Sequence, residues 1–213
     1  YLTFVKRAIE AVEMGYCNVA IVSYGSNQRS AKTRKIGGVI EDHTPQKYFE
    51  YSQGILSPLS LYALVAQRAF HEWDINSEDL AEIAVSARKY SLLNKNAFNY
   101  GKNELTVDDV LNSGIISSPL HKLDCCLVTD GGGAVLITND KIAESLGLPK
   151  IKVKGFGQLD THISYSQMPN YLITGAEQSS KNALIQSKMS LDDVDIFQVY
   201  DSFTITVLST LAS

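Results

Sequence analysis

Apolar residues recur at helical spacing over residues 1–14, where Val5, Ala8, Ile9 and Val12 share a face and Gly15 supplies a stop. The run CNVAIVSYG that follows, ended by Gly25, is almost continuously apolar, which predicts a strand covered on both faces as in a parallel sheet. Helix, turn and buried strand are half of a βαβ unit. Residues 26–123 have a different texture: polar loops, a break at Pro45, several short amphipathic helices and no second buried strand. They read as an insertion. Within it a helix is predicted over 60–73, and another from Ser77 with Leu80, Ile83, Ala84 and Ala87 on one face. TVDD at Thr106 has the capping-box pattern that opens a third, short helix.

CCLVTDGGGAVLIT restores the buried-strand pattern as two apolar runs joined by Asp130 and three glycines. Glycines inside a strand mark a bulge or the close approach of another backbone or a ligand. A short helix over 140–147 ends on glycine, and 150–156 alternates lysines with Ile151 and Val153 like a half-exposed strand. Residues 175–188 are helical, with Ala176, Ala183 and Leu184 on one side, and SLDD at Ser190 is another capping-box signal. VDIFQVYDSF then reads as a short buried strand running into a turn, after which Phe203, Val207 and Leu211 continue at helical spacing. The second part repeats the strand and helix logic of the first, so the fold class is α/β.

The turn in VYDSFTITVL collects a phenol, a carboxylate and a hydroxyl, Tyr200, Asp201 and Ser202, between a strand end and a helix start. Such places carry chemistry in α/β proteins, because the strand fixes the side chains and the helix start offers free N–H groups. The plain alternative is a buried tyrosine ring followed by a capped helix start.

Composition narrows the choices. With 45% hydrophobic and 20% charged residues, the 213-residue chain is an ordinary globular sequence. A net charge of −4 argues against a nucleic-acid partner or an anionic membrane surface. Arg29, Lys32, Arg34 and Lys35 form one basic stretch, which either meets phosphates or is a solvated loop. No apolar run approaches the roughly 18–20 residues that span a bilayer, and no secretory signal is present, so a soluble cytoplasmic protein is expected. Three cysteines without C-x-x-C and four histidines without ligand spacing predict no disulfide framework and no metal. G-x-G-x-x-G spacing is missing around Gly131, and no helix opens after the glycines, so a dinucleotide loop is not expected. The sequence begins and stops inside helical patterns, without an initiating Met, and reads as a segment of a longer protein.

Three stretches, AIEAVEMGYCNVAIVSYGSNQRS, DVLNSGIISSPLHKLDCCLVTDGGGAVLIT and VYDSFTITVL, together and in this order resemble the thiolase superfamily, in particular its sterol-carrier-protein-type, lipid-transfer branch. The resemblance implies a thiolase fold: two similar α/β halves, each a mixed five-stranded sheet with helices on its faces, and an inserted, mainly helical loop domain. Residues 1–25 and 124–147 would be part of the N-terminal half, 26–123 the loop domain, and 148–213 part of the C-terminal half. The resemblance further implies a homodimer or higher oligomer, acyl-CoA as substrate with coenzyme A carried by it, no metal, and a loop domain that binds the nucleotide end of coenzyme A.

The family's nucleophilic cysteine, its activating histidine and its second cysteine all fall outside this sequence. Cys17 lies at the wrong end of the first helix and is expected to pack. YDSF aligns with a family motif usually read Asn-Glu-Ala-Phe, or His-Asp-Cys-Phe in the sterol-carrier branch, whose first residue holds a water or contributes to the oxyanion hole. The resemblance therefore makes Tyr200 and Asp201 the catalytic candidates. A phenol donates one strong hydrogen bond to a developing oxyanion, or serves as acid or base if its pKa falls from about 10. Tyrosine here departs from the usual pattern and is similar to thiolase-like aldolases that split side chains from steroid acyl-CoAs with a small OB-fold partner.

Three activities follow: acyl transfer of the acetyl-CoA acetyltransferase type, retro-aldol cleavage of a β-hydroxyacyl-CoA, or a non-catalytic lipid carrier or scaffold. By the same resemblance Cys126 lies beside the pantetheine arm, and Asp130 with Gly131 shapes the tunnel wall, the alternative being a plain strand bulge. Ser26 and Arg29 line either the active-site loop or the dimer contact.

Overall fold

A computed structural model describes residues 1–32, 44, 46–147 and 149–213. Arg34, Lys35 and the Pro45 break lie outside the described residues. The chain divides into two units, one of Tyr1–Arg34, Val128–Leu159 and Gln178–Asp195, the other of Lys35–Leu127, Asp160–Glu177 and Ile196–Ser213.

In the first unit, helix α1 (Leu2–Glu13) keeps Val5, Ala8, Ile9 and Val12 half-buried, as the periodicity predicts, and Gly15 at φ +73° makes the stop. Lys6 and Glu10 pair one turn apart along α1. Strand β1 (Val19–Ser26) runs antiparallel to β4 (Gly131–Thr138), in unbroken register from Val19 opposite Thr138 to Ser26 opposite Gly131. This corrects the expected parallel strand covered on both faces. Ala20 and Val22 are half-buried while Ile21 between them is 68% exposed. A strand covered on one face only is the antiparallel habit. The glycines lie inside β4 rather than between two strands, and a Cβ built on Gly132 would stand 2.7 Å from the Tyr24 carbonyl oxygen. Close backbone approach is thus what that glycine serves.

Helix α5 (Asp140–Ser145) is capped by Asn139, whose Oδ1 accepts from the Ile142 N–H at 3.0 Å. Helix α6 (Ala176–Ser187) matches the periodic stretch over 175–188, and residues 155–157 run against it, with the Phe156 N–H donating to Gln186 Oε1 at 2.7 Å. The strand expected over 150–156 is absent: those residues join no ladder among the described residues, and Ile151 is 94% exposed.

In the second unit, helices α2 (Pro58–Glu72), α3 (Ser77–Leu93) and α4 (Val107–Leu111) precede a hairpin of β2 (Ile115–Ser117) and β3 (Leu120–His121). Helix α7 (Thr204–Leu211) completes it. Ala63, Ala66 and Ala69 let α2 approach closely, and they share one core with Leu80, Leu120, Phe203 and Ile205. Capping boxes open α3 at Asn76 with Asp79 and α4 at Thr106 with Asp109. Along α3, Leu80 and Ala81 are buried, Ile83 and Ala84 half-buried and Ala87 exposed, so the apolar face is covered at its N-terminal end. Residues 194–200, read as a buried strand, also join no ladder, and Ile196 and Phe197 are exposed. The described residues therefore form two two-stranded antiparallel ladders, where the resemblance implies mixed sheets of five strands.

Candidate functional site

The fold gathers the candidate residues into two groups, one in each unit. In the first unit the β1–β4 ribbon ends on the pair Ser26 and Gly131, and the chain leaves β1 through a turn in which Ala31 N–H donates to the Asn27 carbonyl at 2.9 Å. Asp130, the residue before β4, closes that turn from across the ribbon. Its Oδ1 accepts from Arg29 N–H at 2.9 Å and from Ser30 N–H at 3.2 Å, and its Oδ2 accepts from Ser30 N–H at 3.1 Å. The Ser30 N–H first, then the Ser30 side chain, the Arg29 N–H and the nearby guanidinium, hold the Asp130 carboxyl below its ordinary value. Ser26, Arg29, Asp130 and Gly131 are thus neighbours although about a hundred residues separate the two segments. Arg29 and Asp130 are exposed.

In the second unit the chain from His121 to Cys126 runs beside the turn that carries Tyr200 and Asp201. Cys126 N–H donates to the Ser202 carbonyl at 3.0 Å, and Cys125 and Phe203 form an isolated antiparallel bridge. Tyr200 is 76% exposed and Asp201 is exposed, whereas Ser202, Phe203 and Thr204 are buried. The plain alternative for this turn is not what forms. The tyrosine ring is not buried, and the cap position of α7 is Phe203, which supplies no side-chain hydrogen bond. Ser202 instead shares a hydrogen bond with Thr206, Oγ to Oγ1 at 3.0 Å.

Two buried acids escaped the sequence reading. Asp124, 3% exposed, accepts from His121 N–H at 2.7 Å and from Thr204 Oγ1 at 2.8 Å, and His121 Nδ1 lies 3.2 Å from it. Glu50, 5% exposed, accepts from Ser166 N–H at 2.8 Å beside Tyr62 and Tyr165. Burial, reinforced by Tyr62 and Glu50, pushes the Tyr165 phenol well above its ordinary value, so it stays protonated. The only sequence trace of the first is an aspartate three residues after a histidine. Glu50 left none. Cys17, expected to pack, is half-buried just beyond α1.

Among the described residues no group of His, Cys, Asp and Glu is placed to hold a metal ion. No described helix is long and apolar enough to cross a membrane.

Comparison with known proteins bears on the same residues. The "Thiolase C-terminal domain-like" family matches residues 157–213, which include the Tyr200 turn. A benzoylsuccinyl-CoA thiolase subunit of Thauera aromatica is 32% identical over 150 residues, covering 69% of this chain and 38% of the relative. A steroid side-chain-cleaving aldolase of Thermomonospora curvata is 29% identical over 218 residues, covering 97% of this chain and 55% of the relative. Among solved structures, an Ltp2–ChsH2(DUF35) aldolase superposes with a TM-score of 0.84 at 30% identity, over 97% of this chain and 54% of that one. The chain spans about half the length of the aldolase it matches, or less than that of the thiolase subunit. Matches of this extent, in sequence order and in fold, make the chain a member of the thiolase superfamily with an α/β thiolase-like fold.

Proposed function

We propose that the protein carrying this chain acts on acyl-CoA thioesters and breaks a C–C bond by retro-aldol cleavage of a β-hydroxyacyl-CoA. The observation that carries this reading is Tyr200, an exposed phenol on a turn whose following residues are buried and tied down. In the reaction a base removes the β-hydroxyl proton, the Cα–Cβ bond breaks, and its electron pair passes to the thioester carbonyl oxygen. A proton then returns to Cα, leaving a ketone or aldehyde and a shortened acyl-CoA. Tyr200 donates a hydrogen bond to the oxygen that gains charge, a contribution of about 2.7–4 kcal/mol for one such donor. Asp201, the next residue in the chain, orients or exchanges the proton in this reading.

Cys126 lies along the pantetheine arm. Ser26, Arg29, Asp130 and Gly131 shape a wall of the coenzyme A passage, where the exposed glycines leave room for a narrow chain. Residues 26–123 serve as the loop domain toward the nucleotide end of coenzyme A, and the complete protein builds the five-stranded sheets and a homodimer. The resemblance to a solved aldolase complex supports a DUF35-type accessory protein as partner.

Acyl transfer is the second reading, favoured by the 32% identity to a thiolase subunit. Product analysis separates the two. The full-length protein, with and without a DUF35-type partner, is given 3-hydroxy-3-methylbutyryl-CoA, or acetoacetyl-CoA with free coenzyme A. Acetone and acetyl-CoA from the first support the aldolase; two acetyl-CoA from the second, with none from the first, support the transferase.

A further inference from the structure

A carboxylate buried to 3% exposure is costly unless its oxygens are occupied. Asp124 meets that condition by bonding to two separate pieces of chain. Its Oδ2 takes the His121 N–H at 2.7 Å, within its own segment, and its Oδ1 takes the Thr204 hydroxyl at 2.8 Å, from the first residue of α7. The positive end of α7 favours an anion at this place, and the helix has no side-chain cap of its own. Cys126 N–H on the Ser202 carbonyl at 3.0 Å and the Cys125–Phe203 bridge continue the same seam. Ser202, Phe203 and Thr204, the partners on the α7 side, fall within four residues of Tyr200, which itself stays exposed.

From this juxtaposition, a buried Asp124 holding Thr204 where the chain turns from Tyr200 into α7, we infer that Asp124 is a positioning residue for the Tyr200 phenol. This rests on the assignment of Tyr200 above. Charge-assisted hydrogen bonds have narrow geometry, so Asp124 fixes where α7 begins and thereby where the preceding turn presents the ring. Asp124 and Thr204 touch no substrate. They act through the placement of Tyr200, and a misplacement of about 1 Å is enough to cost a large factor in rate.

The test is a double-mutant cycle in the full-length protein, following whichever of acetoacetyl-CoA and 3-hydroxy-3-methylbutyryl-CoA it turns over faster. Thr204→Val removes the hydroxyl at nearly constant shape; Thr204→Ser restores it. The expected result is a kcat at least about ten-fold lower for T204V, with KM within about two-fold, and recovery in T204S to within about two-fold of the parent. Y200F/T204V is then no slower than Y200F alone, because the two changes remove the same contribution. Faster amide exchange at Cys126 in T204V accompanies the loss. Should T204V not fold, Asp124→Asn, which keeps one acceptor oxygen, takes its place under the same criteria. Additive losses, or a T204V enzyme with normal kcat, overturn the inference alone. A silent Y200F, or no turnover of either probe by the parent, overturns the assignment of Tyr200 and this inference together.

Discussion

Substituting Gly157 by alanine tests the contact between the extended segment 155–157 and α6. A Cβ at position 157 would stand 1.7 Å from the Ser179 carbonyl oxygen, 2.6 Å from its carbonyl carbon and 3.0 Å from its Cα. These are helix backbone atoms that cannot swing aside, so the segment has to lift. Forcing a methyl into a packed contact costs about 1–3 kcal/mol. Lifting also breaks the Phe156 N–H bond to Gln186, worth about 0.5–1.5 kcal/mol net. The sum is about 1.5–4.5 kcal/mol, and at roughly 2–4 °C per kcal/mol for a chain of this size the thermal midpoint falls by about 3–18 °C. Gly155→Ala meets the Ala183 carbonyl oxygen at 2.1 Å and behaves alike. The double variant costs less than the sum, because a segment already lifted meets no second wall. Gly133→Ala is the control, since nothing lies within 4 Å of a Cβ there. Thermal melts followed by circular dichroism read all four proteins. A Gly157→Ala midpoint equal to that of Gly133→Ala refutes the close-packed seam.

Further outcomes can be checked in the same way. Leu120→Ala empties a fully buried site in the second unit and destabilises by about 2–5 kcal/mol, measured by urea denaturation. Thr106→Ala removes the cap of α4 and costs about 0.5–2 kcal/mol in the same assay. Asp109 and Asp193, held below their ordinary values chiefly by hydrogen bonds from Thr106 and Ser190, and Asp130, held down chiefly by the Ser30 N–H, stabilise the fold above the unfolded carboxyl value of about 3.9. That stabilisation is lost as pH falls from there through the lowered native values. Asp130→Asn therefore flattens the decline of the thermal midpoint between pH 5 and pH 2 without steepening it; an unchanged decline contradicts the turn closure.

The local elements were legible wherever the signal was itself local. The face of α1, the capping boxes at Thr106 and Ser190, and the glycine stop after Glu13 stand where periodicity and capping chemistry put them. Strands were legible only in part, because alternation marks a face but not a partner. The apolar run CNVAIVSYG predicts a strand where β1 forms, but reads as parallel while β1 pairs antiparallel with β4, and 150–156 and 194–200 have strand composition and no ladder among the described residues. The tyrosine turn was legible from its residue types and its resemblance. Its support was not. Asp124 is tied to Thr204, eighty positions later, and the exposed Asp130 to N–H groups about a hundred positions earlier. Nothing in the spacing of either segment encodes the other.

Tyr200→Phe in the full-length protein tests the proposed role of this phenol most directly. The ring is 76% exposed, so removing its hydroxyl leaves the thermal midpoint within about 1–2 °C of the parent. Cleavage of the acyl-CoA falls by about 10²–10³ in kcat, the loss typical of one missing oxyanion donor. A variant with the parent's kcat and the parent's stability would contradict the proposed role of this turn.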